Sequence, residues 1–125
     1  MSNNTKKQFG VWMDTQHATM VGRKGLDTGE FIVLGYKEKE GTDTHSNEKT
    51  ANNHEITLTQ KFFKEIATLM PNIDEIHITG TGQAQEQFMH FLADTAQYKN
   101  VVSTESTTNK MSDEKLVEYI TEYFN

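Results

Sequence analysis

The chain has no cysteine in its 125 residues. Disulfides and thiolate metal centres are therefore excluded. Its only proline, Pro71, closes an apolar helical pattern and prevents its continuation. No apolar run approaches the ~20 residues that a membrane span needs. Lys6 and Lys7 are followed by no signal-peptide apolar region. The expectation is a soluble, cytoplasmic protein with no membrane partner. Positive charge is also scarce: 12 Lys and Arg stand against 18 Asp and Glu, for a net charge of −6. Such a chain has no global field drawing it to phosphate, so any RNA contact has to be local. The basic residues that do gather, at Lys6, Lys7, Arg23, Lys24, Lys37 and Lys39, are expected at solvent-facing ends of elements. No Walker loop, nucleophile elbow or kinase signature is present. Serines and histidines show no diagnostic triad spacing.

What is present begins with length, which suits one compact domain over residues 1–125. Residues 73–124 are the most informative stretch. They read as strand, Gly-containing turn, helix, strand, helix, the grammar of a parallel α/β sheet. Before them, residues 8–14 form a first strand, with Phe9, Val11 and Met13 on one face and Trp12 on the other. Residues 18–22 and 31–36 continue as strands, joined through short connections that imply an antiparallel meander. Leu58, Phe62, Phe63, Ile66, Leu69 and Met70 recur at helical spacing, and Thr57 with Gln60 fits a capping box. A fourth strand spans 75–79. A second helix begins near Ala84, with Phe88, Phe91, Leu92 and Ala96 inward. A fifth strand spans 100–104. Ser112 caps the last helix, Met111 staples onto Leu116, and Leu116, Ile120 and Phe124 face the core.

Right-handed crossovers lay the fourth and fifth strands parallel to the first. The predicted fold is α/β: a three-layer α/β/α, ribonuclease-H-like domain with a mixed five-stranded sheet in order 3-2-1-4-5. Its expected core includes Val11, Met13, Ile32, Leu34, Phe62, Ile66, Ile76, Ile78, Phe88, Leu92, Val101, Leu116 and Ile120. Residues 41–55 have no aliphatic side chain larger than alanine, so they are expected to form a polar mobile loop.

Several motifs together resemble a known family. They are the opening Gly10-Val11-Trp12-Met13-Asp14, the strand Asp74-Glu75-Ile76, the turn Gly80-Thr81-Gly82-Gln83 and the helix start Lys110-Met111-Ser112-Asp113. The chain resembles the central domain of archaeal and eukaryotic class-one peptide-chain release factors. It is closer still to their small bacterial stand-alone relatives, the translational-machinery-like proteins. In the release factors, a Gly-Gly-Gln tripeptide after the third strand enters the peptidyl-transferase centre. That position maps onto residues 42–54, which hold no Gly-Gly-Gln. Gly80-Thr81-Gly82-Gln83 sits after the fourth strand and matches a later turn of the family instead. Peptidyl-tRNA hydrolysis therefore does not carry over.

The remaining candidates are weak alone. Asp14 ends the first strand, where ribonuclease-H-like nucleases keep a metal-binding carboxylate, but it equally suits a hairpin turn. Gly80, Thr81, Gly82 and Gln83 precede a helix, so their backbone N–H groups could hold an anion. The third glycine of a dinucleotide fingerprint is missing, and the acidic Glu86 opposes phosphate there. Close helix–strand packing also explains these glycines. The histidines, His17, His45, His54, His77 and His90, include no His-x-x-x-His pair, and no metal or cofactor is expected. His77 alternates with Ile76 and Ile78 and reads as a satisfied sheet residue.

The leading expectation, from the resemblance, is a non-catalytic translation- or ribosome-associated binding module. Its partner would be the ribosome or RNA, and its contact residues His45, Asn47, Lys49, Asn52 and His54. One alternative is a metal-dependent nuclease or other phosphoester hydrolase. Another is a homodimeric interaction domain using the exposed edge of the third strand, although Lys37-Glu38-Lys39-Glu40 would guard that edge.

Overall fold

In the computed structural model the described residues are 6–25, 29–39 and 48–124, the side chains of 48–55 excepted. Three strands come first: β1 (Gln8–Met13), β2 (His17–Arg23) and β3 (Phe31–Glu38). Helix α1 (Glu48–Thr68), strand β4 (Glu75–Gly80), helix α2 (Gln83–Asp94), strand β5 (Val102–Thr107) and helix α3 (Asp113–Phe124) follow. The sheet order is β3-β2-β1-β4-β5. β1 pairs antiparallel with β2 and parallel with β4, and β4 pairs parallel with β5. The expected α/β fold and strand order are present. Among the described residues, no helix is long and apolar enough to cross a membrane.

Strand alternation divides the core in two. On one face, Phe9, Val11 and Met13 of β1 and Ile76 and Ile78 of β4 meet Phe62 and Ile66 of α1 and Phe88 and Leu92 of α2. Phe63 crosses Phe88 edge-on at 5.3 Å between centroids. On the other face, Trp12, Val21 and Phe31 meet Leu116 and Ile120 of α3. β1 is buried along its whole length, because helices cover both of its sides.

Two glycines make the centre of the sheet possible. A Cβ on Gly10 would lie 2.3 Å from Ile120 Cδ1, so α3 can approach only a bare backbone. A Cβ on Gly80 would lie 1.9 Å from the Met13 carbonyl oxygen, so β1 and β4 close up at their ends for the same reason.

Several local expectations need correction. α1 begins at Glu48, well before the Thr57–Gln60 pair, so Thr57 is not its cap and residues 48–55 are helical rather than loop. Once the apolar stretch has nucleated a helix, propagation into polar residues needs no burial. The rest of the expected loop, 41–47, lies outside the described residues, as do 26–28 of the expected β2–β3 turn. Ala96 is exposed and sits in a single 3-10 turn, Ala96–Tyr98, after α2 has ended. β5 starts two residues later and ends three residues later than expected. Ile32, Leu34 and Val101 are only half-buried, since the strands that carry them, or abut them, lie at the sheet's margins. Lys39 is buried beyond the end of β3, where its N–H donates to the Gln16 carbonyl at 2.7 Å, so it does not guard the edge. Arg23 is no mere surface charge: it donates to Gln8 Oε1 at 3.0 Å and lies over the Phe31 ring.

Ser112 caps α3 as expected, its Oγ accepting from Lys115 N at 3.2 Å. α1 ends in a turn where Asn72 takes a left-handed φ of 56° after Pro71.

Truncating Phe88, which is fully buried, to alanine should cost about 3–5 kcal/mol in denaturant unfolding. Gly80→Ala should cost about 1–3 kcal/mol, because a carbonyl cannot give way as a flexible side chain does. Losses below about 0.5 kcal/mol at both sites would contradict the packing described, since surface-like substitutions fall in that range.

Candidate functional site

Direct pairing places Tyr36, Thr19, Trp12, Thr79 and Ser106 in one row across the five strands. Directly paired residues project to the same face, so this row lies on the α3 side of the sheet. α3 crosses it. To one side of the helix the row is closed by a polar network, and to the other it opens into a cleft.

The network centres on His77, paired with Thr104 one row away. His77 Nδ1 lies 2.8 Å from Thr104 Oγ1, and Nε2 lies 2.9 Å from Ser106 Oγ. Tyr123 and Tyr119 of α3 bring their hydroxyls to Thr104 at 2.7 Å and to Ser106 at 2.6 Å. Ser106 Oγ also donates to Thr79 Oγ1 at 2.9 Å, and Thr79 pairs with Thr108 at 2.8 Å. The Tyr123 ring stacks on the imidazole at 4.0 Å. His77 is buried, and burial lowers its pKa below the ordinary histidine value. A neutral imidazole offers one donor and one acceptor, which two hydroxyls satisfy. His77 is thus the satisfied sheet residue expected. It joins α3 to strands whose inward side chains are otherwise small and polar.

The cleft has a volume of about 380 Å³ and lies between the α3 start and the ends of β1, β2 and β3. Trp12, Thr19 and Tyr36 line it from the sheet, joined by Lys37, and Lys110 and Met111 line it from the segment entering α3. Tyr36 is 60% exposed although aromatic, and its hydroxyl bonds the Asp113 carboxylate. That hydrogen bond raises the Tyr36 pKa above the ordinary tyrosine value. Trp12 is only 3% exposed, and its Nε1–H is buried with no hydrogen-bond partner among the described residues. Indole nitrogens that are buried normally find one.

The residues singled out in the sequence are scattered. Gly82, with a φ of 137°, opens α2, and its N–H donates to Gln85 Oε1 at 3.0 Å. Gln85 is fully buried and its Nε2 donates to the Ser106 carbonyl at 2.9 Å. One N–H of the turn Gly80-Thr81-Gly82-Gln83 is therefore engaged by the chain itself, and Gly80 serves the close approach of β1 and β4. Asp14 Oδ1 accepts from Gln16 N at 2.8 Å and from His17 N at 2.6 Å, which makes it a hairpin-turn residue. His17 lies between Asp14 and Glu38, at 3.4 and 3.3 Å. Among the described residues no three His, Asp or Glu side chains gather as a metal site would need. Lys49, Asn52 and His54 fall on the first turns of α1, while His45 and Asn47 lie outside the described residues. The cleft was missed from sequence. Its one available signal was Tyr36, an aromatic on an edge strand next to a run of charge.

The fold has solved counterparts. Pelota from Thermoplasma acidophilum superimposes with a TM-score of 0.59 at 18% identity, over 97% of this chain and 34% of that protein. Pelota from Archaeoglobus fulgidus gives 0.55 at 13% identity, over 97% and 35%. An archaeal translation termination factor gives 0.54 at 13% identity, over 90% and 34%. This chain therefore shares the fold of one segment of those proteins and spans about a third of their length. No protein-family model matches the sequence, and no curated protein matches it significantly.

Because burial depresses the His77 pKa, the unfolded chain takes up a proton near pH ~6.5 that the folded chain resists. The contribution of His77 to stability is full above that pH and declines as pH falls toward the folded value. Unfolding measured between neutral and mildly acidic pH should show a steeper loss for the native chain than for His77→Gln. Parallel slopes would show that His77 is not held neutral.

Proposed function

We propose that this chain is a non-catalytic binding module of the translation apparatus that docks on the ribosome. The observation that carries the reading is the fold shared, over nearly all of this chain, with Pelota and an archaeal translation termination factor. The nuclease alternative draws no comparable support, since Asp14 is occupied in its own turn. The absence of a Gly-Gly-Gln tripeptide from the sequence supports a binding rather than a hydrolytic role. Residues His45, Asn47, Lys49, Asn52 and His54 are proposed as contacts, because their stretch of sequence is polar and rich in hydrogen-bond donors.

The chain should co-sediment with ribosomes at low salt and dissociate as salt rises, because local phosphate contacts are screened. Replacing His45, Lys49 and His54 with alanine should reduce the bound fraction without altering the unfolding midpoint. Equal binding by this variant would move the contact surface elsewhere, and failure of the native chain to co-sediment would remove the reading. Purified chain added to ribosomes carrying peptidyl-tRNA should release no peptide. Release that disappears in Gln83→Ala would identify the Gly80–Gln83 turn as a hydrolytic motif after all.

A further inference from the structure

A strand at the edge of a sheet presents unpaired backbone donors and acceptors, and folds guard it with charge, proline or a bulge. This sheet has two such edges, β3 and β5. β3 is guarded: its pairing with β2 shifts register at Met20 and Val21, and it ends in Lys37-Glu38. β5 is not. Its sequence, Val102-Ser103-Thr104-Glu105-Ser106-Thr107, has no proline, no glycine and a single charge, and its register with β4 is unbroken. Among the described residues no strand pairs with its outer side. We propose that β5 is an interface for a second copy of this chain, the two β5 strands pairing antiparallel about a two-fold axis at Thr104 to make one continuous sheet.

Hydrogen bonding sets which residues of β5 are free. Val102 N donates to the Asp74 carbonyl at 3.0 Å and Thr108 N to the Gly80 carbonyl at 2.7 Å, so the even-numbered residues turn their backbone toward β4. Ser103, Glu105 and Thr107 turn theirs outward. Antiparallel pairing about a two-fold axis matches outward residues with outward residues, so the axis falls at a residue and not between two. Axes at Thr104 and at Glu105 give the longest overlap of the two strands. An axis at Glu105 would set two carboxylates directly opposite, which is destabilising. An axis at Thr104 pairs Ser103 of each copy with Glu105 of the other, each pair exchanging both backbone bonds. The same patch then serves both copies, as a two-fold interface requires. On the α3 side of the sheet Thr104 meets its own counterpart. Val102, 58% exposed, and Tyr123, 45% exposed and hydrogen-bonded to Thr104, flank that point and supply apolar surface. α3 packs over β1, β2 and β3, which leaves the seam clear. A seam of one strand lies at the small end of specific interfaces, so the dimer is expected to be reversible. Each copy carries a net charge of −6, so mutual repulsion opposes association most at low salt.

Analytical ultracentrifugation of the whole chain should show its mass rising from monomer to dimer as concentration and salt are raised. That salt response is opposite in sign to the one expected for ribosome docking, so either idea can fail while the other stands. Amide exchange at Ser103 and Glu105 should slow as the dimer forms. Ser103→Pro removes an outward N–H and no bond to β4, which an edge strand tolerates. It should weaken association about 10- to 100-fold, since both ladder pairs lose a bond. Ser103→Lys sets an ammonium opposite Glu105 of the other copy in both pairs. It should tighten association about 2- to 30-fold, whereas lysine on an edge without that partner deters pairing. A monomer at every concentration and salt, slowed exchange along β3 in place of β5, or weaker association by Ser103→Lys would overturn the proposal.

Discussion

The structure depends on one strand being buried from both sides. β1 contributes Phe9, Val11 and Met13 to the core under α1 and α2, and Trp12 to the core under α3. Among the described strands it alone has an antiparallel neighbour on one side and a parallel neighbour on the other. The meander and the two crossover units are therefore joined through it. Gly10 sets how near α3 can come, and Gly80 sets how tightly β4 closes against it. Side chains at these two positions would push a helix or a strand outward, and both cores would lose contact together.

The two faces of the sheet are built differently. The face under α1 and α2 is aliphatic and aromatic over β1 and β4, which gives packing but little specificity of chemistry. The face under α3 is apolar only over β1, β2 and β3. Over β4 and β5 it is a chain of hydroxyls around His77. Such a network holds α3 in one position, because each hydrogen bond is directional and a slipped helix would leave several groups unsatisfied. With α3 fixed in this way, its first turn and the preceding Lys110 and Met111 define one wall of the cleft.

The architecture was legible in the sequence because it follows from period and punctuation. Alternation in β1, the helical spacing from Leu58 to Met70, the single Pro71 and the cap at Ser112 each settle a local question, and handedness settles the rest. The α1 boundary was not legible, because polar residues permit a helix without requiring one. β5 was misplaced for a related reason. Its inward residues, Thr104 and Ser106, are polar, and nothing in a single sequence says that two tyrosines four residues apart on α3 will come down upon them. The cleft was hidden because it is assembled from β1, β2, β3 and the α3 entry, which are far apart in the chain. Trp12 read correctly as lying on the opposite face from Val11, but only the structure reveals that its N–H has no partner among the described residues.

Identity of 13–18% with proteins of the same fold means that most side chains can change while the architecture survives. What must survive is a small set: glycines at close approaches, apolar alternation in β1, and apolar faces on the helices. Tyr36, Lys37 and Lys110 belong to no such set. None is needed to fill a core, and an exposed aromatic on an edge strand forgoes the burial that would make it stabilising. A fold that many sequences can specify leaves its function to residues of this kind, positioned by rigid elements but not required by them. In this chain Tyr36 faces the cleft from the sheet and Lys110 from the segment entering α3, the wall that the His77 network keeps in place.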